Sequence, residues 1–115
     1  MIGADDALAQ AMRQLKREYL AAWPQRLAEL QSLHRRLVAG DHDALDELRR
    51  ALHKLAGSGG SYGLPDVSAK SREAELAAQR LIGSSTVGSA ELAELGAYIA
   101  AVAALFEQAR AAEAV

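Results

Sequence analysis

The chain has 115 residues, enough for one domain built around one core, and no second domain is expected. Thirteen basic residues against fifteen acidic ones leave a net charge of −2, which supplies no overall positive field for a nucleic-acid backbone. With no cysteine, disulfides, thiolate metal sites and thiol chemistry are excluded together.

Half of the residues are hydrophobic but only 4% are aromatic, so alanine and leucine carry most of the apolar content, and both favour helix. The start Met1-Ile2-Gly3-Ala4-Asp5-Asp6 lacks the basic flank and apolar run of a signal peptide. No later stretch reaches the roughly 20 uninterrupted apolar residues of a membrane span. A soluble cytoplasmic domain, without direct membrane insertion, is expected.

In chain order, Leu8, Met12, Leu15 and Tyr19 line one face of a first helix over about 5–22. Pro24 suits the first turn of a second helix, with Leu27, Leu30, Leu33 or His34, and Leu37 on its stripe. A kink at Pro24 fits equally well. Trp23 and Tyr19 are expected to pack the first helix onto the rest. Gly40 then reads as a helix stop, and Asp41 as a cap for the next N-terminus.

The third helix carries Leu45, Leu48, Leu52 and Leu55 inward and runs into Gly57-Ser58-Gly59-Gly60-Ser61. A fourth is expected from about Pro65, through Val67, Ala74, Ala78 and Leu81, to the turn-forming run Gly83-Ser84-Ser85-Thr86. The last has Ser89 as its expected cap and Leu92, Leu95, Ile99, Val102, Phe106 and Ala109 on its stripe. The pattern predicts an all-α fold: an antiparallel, up-down-up-down four-helix bundle over about 25–112 with an additional N-terminal helix.

The third helix holds the residue of greatest chemical interest. At about 100° per residue, the four leucines centre about 120° away from His53, which should therefore reach solvent. Asp46, Arg49, Gly57 and Gly60 fall within about 40° of His53, and Arg50 and Ala56 about 60° away. A neutral imidazole offers a nitrogen lone pair near physiological pH, and a P–N bond formed there is readily transferred onward. Glycine one turn later would let another protein close over the ring. From spacing alone the plainer reading is favoured: the same glycines end the helix, and His53 is an ordinary exposed histidine.

The segment Ala51-Leu52-His53-Lys54-Leu55-Ala56-Gly57-Ser58-Gly59-Gly60-Ser61-Tyr62-Gly63 resembles the signature of histidine-containing phosphotransfer domains. That signature is H-x-L-K-G, small residues, and a glycine about ten after the histidine. His53, Leu55, Gly57 and Gly63 fall on matching positions, and Arg72-Glu73-Ala74-Glu75-Leu76 resembles the family's next helix. The resemblance covers most of residues 25–110. It implies a single phosphotransfer domain over 1–115 that takes a phosphoryl group on His53 from a receiver-domain aspartate and passes it to another receiver domain. The partners implied are receiver domains of response regulators and of a hybrid sensor kinase. The carrier would be a monomer with no cofactor or metal of its own and no enzymatic activity, because magnesium and the aspartate belong to the receiver.

The family's frequent lysine three residues after the histidine is Ala56 here, so a positive charge near the phosphoryl group must come from elsewhere. Arg49 and Arg50, one turn before His53, are the best placed by spacing, ahead of the adjacent Lys54. Lys70 or Arg72 on the next helix could also approach. Arg49, Arg50, Lys54, Ala56, Gly57 and Gly60 form the expected phosphate-facing and partner-facing surface. His34, His42 and His53 lack the close spacing of a zinc site. Two competing functions are a sensor kinase's dimerising domain and a helical adaptor that never uses His53 chemically. The first is disfavoured by Lys54-Leu55-Ala56-Gly57, where an acidic residue and a proline would follow the histidine.

Overall fold

A computed structural model describes residues 3–113; Met1, Ile2, Ala114 and Val115, the ends of the expected 1–115 domain, lie outside it. Five helices follow one another: α1 Ala4–Ala21, α2 Trp23–Val38, α3 Ala44–Ser61, α4 Pro65–Leu81 and α5 Ser89–Glu113. There is no strand among the described residues. Ala22 alone separates α1 from α2, because Pro24 in the first turn of α2 has no N–H to continue the hydrogen-bond ladder.

Gly40 ends α2 as its sequence predicts, with φ of 96° and the Asp41 N–H reaching back to the Arg36 carbonyl at 2.9 Å. The Asp41 side chain does not cap α3. It accepts from Arg36 Nε at 2.9 Å and lies 2.8 Å from Arg36 Nη2, and the carbonyls of Asp41 and His42 serve the first amides of α3 instead. Ser89 is likewise inside the start of α5, and the Gly88 carbonyl takes the first helical bond, from Leu92 N–H.

The greatest departure from helix-stop chemistry is in α3, which runs straight through Gly57, Gly59 and Gly60. It stops at Gly63, with φ of 75°, where the Leu64 N–H bonds to the Gly59 carbonyl at 2.8 Å and the Gly63 N–H to the Gly60 carbonyl at 3.2 Å. That double bond pattern closes a helix on a left-handed residue, and buried Leu64 seals it. Gly57, Gly59 and Gly60 therefore lie within the helix and do not end it.

Helices α2 to α5 form a closed ring, each touching its sequence neighbour and α2 touching α5. Trp23, Leu30, Leu48, Leu52, Val102 and Phe106 are among the side chains with essentially no exposure. The α3–α4 pair is antiparallel, as His53 meets Glu75 while Ala56 meets Ser68. Gly59 allows this pair to close, since a Cβ there would come within 3.1 Å of the Ser68 backbone nitrogen. Helix α5 is long and apolar enough to cross a membrane by length and composition; its exposed residues are largely alanine, and Leu95, Ile99, Val102 and Phe106 face the core.

The end of α1 is held by an aromatic stack. Trp23 lies flat on Phe106 with centroids 3.8 Å apart, and Tyr19 stacks on Tyr62 at 4.4 Å while its hydroxyl meets Ser58 Oγ at 2.6 Å. The rest of the expected α1 stripe is not buried: Leu8 is 63% exposed, Met12 46% and Leu15 45%. The described part of α5 stops at Glu113, which pairs with Lys16, so no described element lies opposite the earlier turns of α1. The long dimension of 62 Å accordingly exceeds the roughly 38 Å of a 25-residue helix.

Candidate functional site

His53 stands midway along α3 on the face away from the core, its side chain 66% exposed. Leu52 and Leu55, both buried, fix the helix beneath it and with it the direction of the ring. One ring nitrogen is engaged: Nδ1 lies 2.7 Å from Glu75 Oε2 on α4, a carboxylate only 13% exposed. A carboxylate can only accept, so Nδ1 carries the proton of this bond, and in a neutral ring that leaves Nε2 as the nitrogen with the lone pair.

Glu75 is the partner of His53 that spacing does not reveal. It lies 22 positions after His53, on another helix, and only the antiparallel pairing of α3 with α4 brings the two together. The available hint is that Glu75 adjoins Ala74 and precedes Ala78 by three on the buried side of α4, which places it at the rim of the α3–α4 seam.

The expected surrounding residues divide into three groups. Gly57 is open, with nothing within 4 Å of where a Cβ would stand, so it leaves clear space one turn beyond the imidazole. Gly60 is exposed too, but a Cβ there would touch Ser68 Oγ at 3.5 Å. Ala56 is not on this surface. It is 3% exposed, and its carbonyl accepts from Ser68 Oγ at 2.5 Å, because α4 covers that flank of the ridge.

The cations expected near His53 are tied elsewhere. Asp46 takes both arginines, Oδ1 accepting from Arg49 Nε and Nη2 at 3.1 Å and Oδ2 lying 2.7 Å from Arg50 Nη2. Lys54 and Arg50 line an open groove of about 310 Å³ between α2 and α3, together with Arg26, Glu29 and Glu47. Lys70 sits 2.7 Å from Glu73 and 6.0 Å from the Tyr98 ring centroid, and the Glu73 hydrogen bond raises its ammonium above the usual lysine range.

The other two histidines serve the framework. His34 Nε2 meets the Leu92 carbonyl at 2.8 Å with its ring against Gly96, and His42 Nε2 meets the Ser84 carbonyl at 3.0 Å. Among the described residues, no group of three or more histidine, cysteine or acidic side chains is placed to hold a metal ion.

An exposed imidazole with one nitrogen bound to a carboxylate can act as a nucleophile toward a group that another molecule brings to it. A family model described as the Hpt domain matches residues 14–112. The chain belongs to the Hpt domain family. Neither the curated proteins nor the solved structures contain a match to it. Hpt domains are helical phosphocarriers of two-component phosphorelays, working through a histidine and engaging receiver domains of response regulators and hybrid kinases.

Proposed function

We propose that this Hpt domain is a relay intermediate in which His53 Nε2 takes a phosphoryl group from the aspartate of one receiver domain and delivers it to another. The observation that supports this most is the His53–Glu75 pair, which engages Nδ1 and leaves Nε2 of the exposed ring as the nitrogen for the phosphoryl group, one turn before the open position of Gly57. On the forward step the Nε2 lone pair bonds to phosphorus while the P–O bond to the donor aspartate breaks, and that aspartate leaves as a carboxylate. The ring, still protonated at Nδ1, becomes cationic, and the Glu75 carboxylate stabilises it through a charge-assisted hydrogen bond. On the onward step the second receiver's aspartate attacks phosphorus, the P–N bond breaks, and neutral imidazole is restored with no proton moved.

In this reading the whole chain is one cytoplasmic module, a carrier and not an enzyme, with magnesium and the catalytic aspartate supplied by the receiver. The test is incubation with a receiver domain carrying radioactive phosphoaspartate. The parent protein should become labelled and His53→Gln should not, while Glu75→Gln should slow transfer about fivefold through loss of roughly 1 kcal/mol from a charged hydrogen bond. Full labelling of His53→Gln would transfer the role to another residue. A parent protein that binds receivers without ever being labelled would instead be the adaptor.

A further inference from the structure

We propose that Arg72 is the cation that meets the phosphoryl group on His53 and fills the role of the lysine absent at Ala56. The assignment rests on His53 as acceptor and adds the group that binds the phosphoryl oxygens.

The register of α4 supports it. Ser68, Arg72 and Glu75 follow one another at i, i+4 and i+7, so they form one ridge along the helix. Both ends of that ridge are pinned to α3: Ser68 Oγ donates to the Ala56 carbonyl, and Glu75 Oε2 accepts from His53 Nδ1 at 2.7 Å. Arg72 therefore lies between them, level with the turn of α3 that runs from His53 to Gly57. That is the turn whose missing side chain leaves open space beside the imidazole.

Charge accounting points the same way. Asp46 holds Arg49 and Arg50, Glu73 holds Lys70, and Lys54 faces the groove toward α2. Arg72 is exposed and makes no ion pair among the described residues, and the nearest acidic group on its ridge, Glu75, is committed to His53. Phosphorylation of Nε2 places a dianionic group close to the Glu75 carboxylate. A planar guanidinium can take two phosphoryl oxygens at once and offset that repulsion, whereas an alanine at position 56, buried under α4, cannot.

Phosphoramidate tests this without a partner protein. It donates its phosphoryl group to an imidazole nitrogen as its own P–N bond breaks and ammonia leaves, so a fixed ratio of phosphoramidate to ammonia sets an equilibrium phosphorylated fraction. No docking contact enters that equilibrium. The ratio of phosphorylated to free His53, followed by phosphorus NMR, should fall about 3- to 5-fold in Arg72→Ala at low salt. The deficit should shrink as salt is added and should be partly restored in Arg72→Lys. Arg49→Ala/Arg50→Ala should move the ratio less than Arg72→Ala. A parent protein that phosphoramidate cannot label at His53 would remove the acceptor reading itself. A labelled parent whose ratio is unchanged in folded Arg72→Ala would overturn the Arg72 assignment alone.

Discussion

The early turns of α1 and the middle of α3 differ in what lies opposite them. Leu48 and Leu52 of α3, which packs between α2 and α4, are fully buried, while Leu8 and Met12 of α1 face no described element and stay exposed. Both segments repeat apolar residues at intervals of three and four. Periodicity thus defines a face, but burial needs a second surface for that face to meet, and α1 meets one only from Lys16 onward. The contrast also explains where chemistry can reside. A histidine is held to a fixed direction only where the helix beneath it is locked by packing, as α3 is around His53.

The largest expected effect tests the point where α1 begins to resemble α3. Trp23→Ala removes a fully buried ring stacked on Phe106 and should cost about 3–5 kcal/mol in urea unfolding. A loss under about 1 kcal/mol would mean that the stack is dispensable and that α1 is joined to the bundle by other contacts.

The comparison itself is sharpened by a matched pair. Leu52→Ala should destabilise by about 2–5 kcal/mol, and Leu8→Ala should stay within about 0.5 kcal/mol. Equal losses at the two sites would show that something covers the α1 stripe in solution.

Within α3 the glycines should separate in sign. Gly59→Ala pushes a methyl group against the Ser68 backbone and should cost about 1–3 kcal/mol. Gly57→Ala enters open space and should stabilise the helix by up to about 1 kcal/mol. Gly57→Leu should then slow transfer from a receiver at least roughly tenfold, about 1.4 kcal/mol. Its labelling by phosphoramidate should be intact, because the small donor needs no docking space. If both donors were slowed alike, the leucine would be blocking the imidazole rather than the partner.

A modest effect is expected at the far end of the same aromatic stack. Tyr19→Phe keeps the ring over Tyr62 and deletes only the hydroxyl at Ser58, so thermal unfolding should register about 0.5–1.5 kcal/mol. No change would place the whole contribution of Tyr19 in its ring.

Much of the fold was legible before any coordinates, because helix faces and stops are local properties. The stripes of α2, α3 and α5, the stop at Gly40 and the exposure of His53 all follow from a 3.6-residue period and from which residues tolerate a left-handed cap. The glycines after His53 illustrate where local reading divides. Four of them sit in one short segment with the composition of a helix end, yet Gly57 leaves open space, Gly59 admits α4, and Gly63 alone closes the helix. Composition cannot tell these apart, since each depends on what stands across from the missing side chain.

What the sequence by itself determined is the identity of the helices, the outward position of His53 and, through the motif around it, the family. What only the tertiary structure decided is how His53 is equipped. Glu75 reaches Nδ1 across a helix pair, Asp46 draws away the two arginines that spacing favoured, α4 covers Ala56, and Arg72, between Ser68 and Glu75 on α4, makes no ion pair among the described residues. The physical reason is range. A helical period relates residues a few positions apart, while the partner of a ring nitrogen and the nearest free charge depend on which ridges of two helices come to lie side by side.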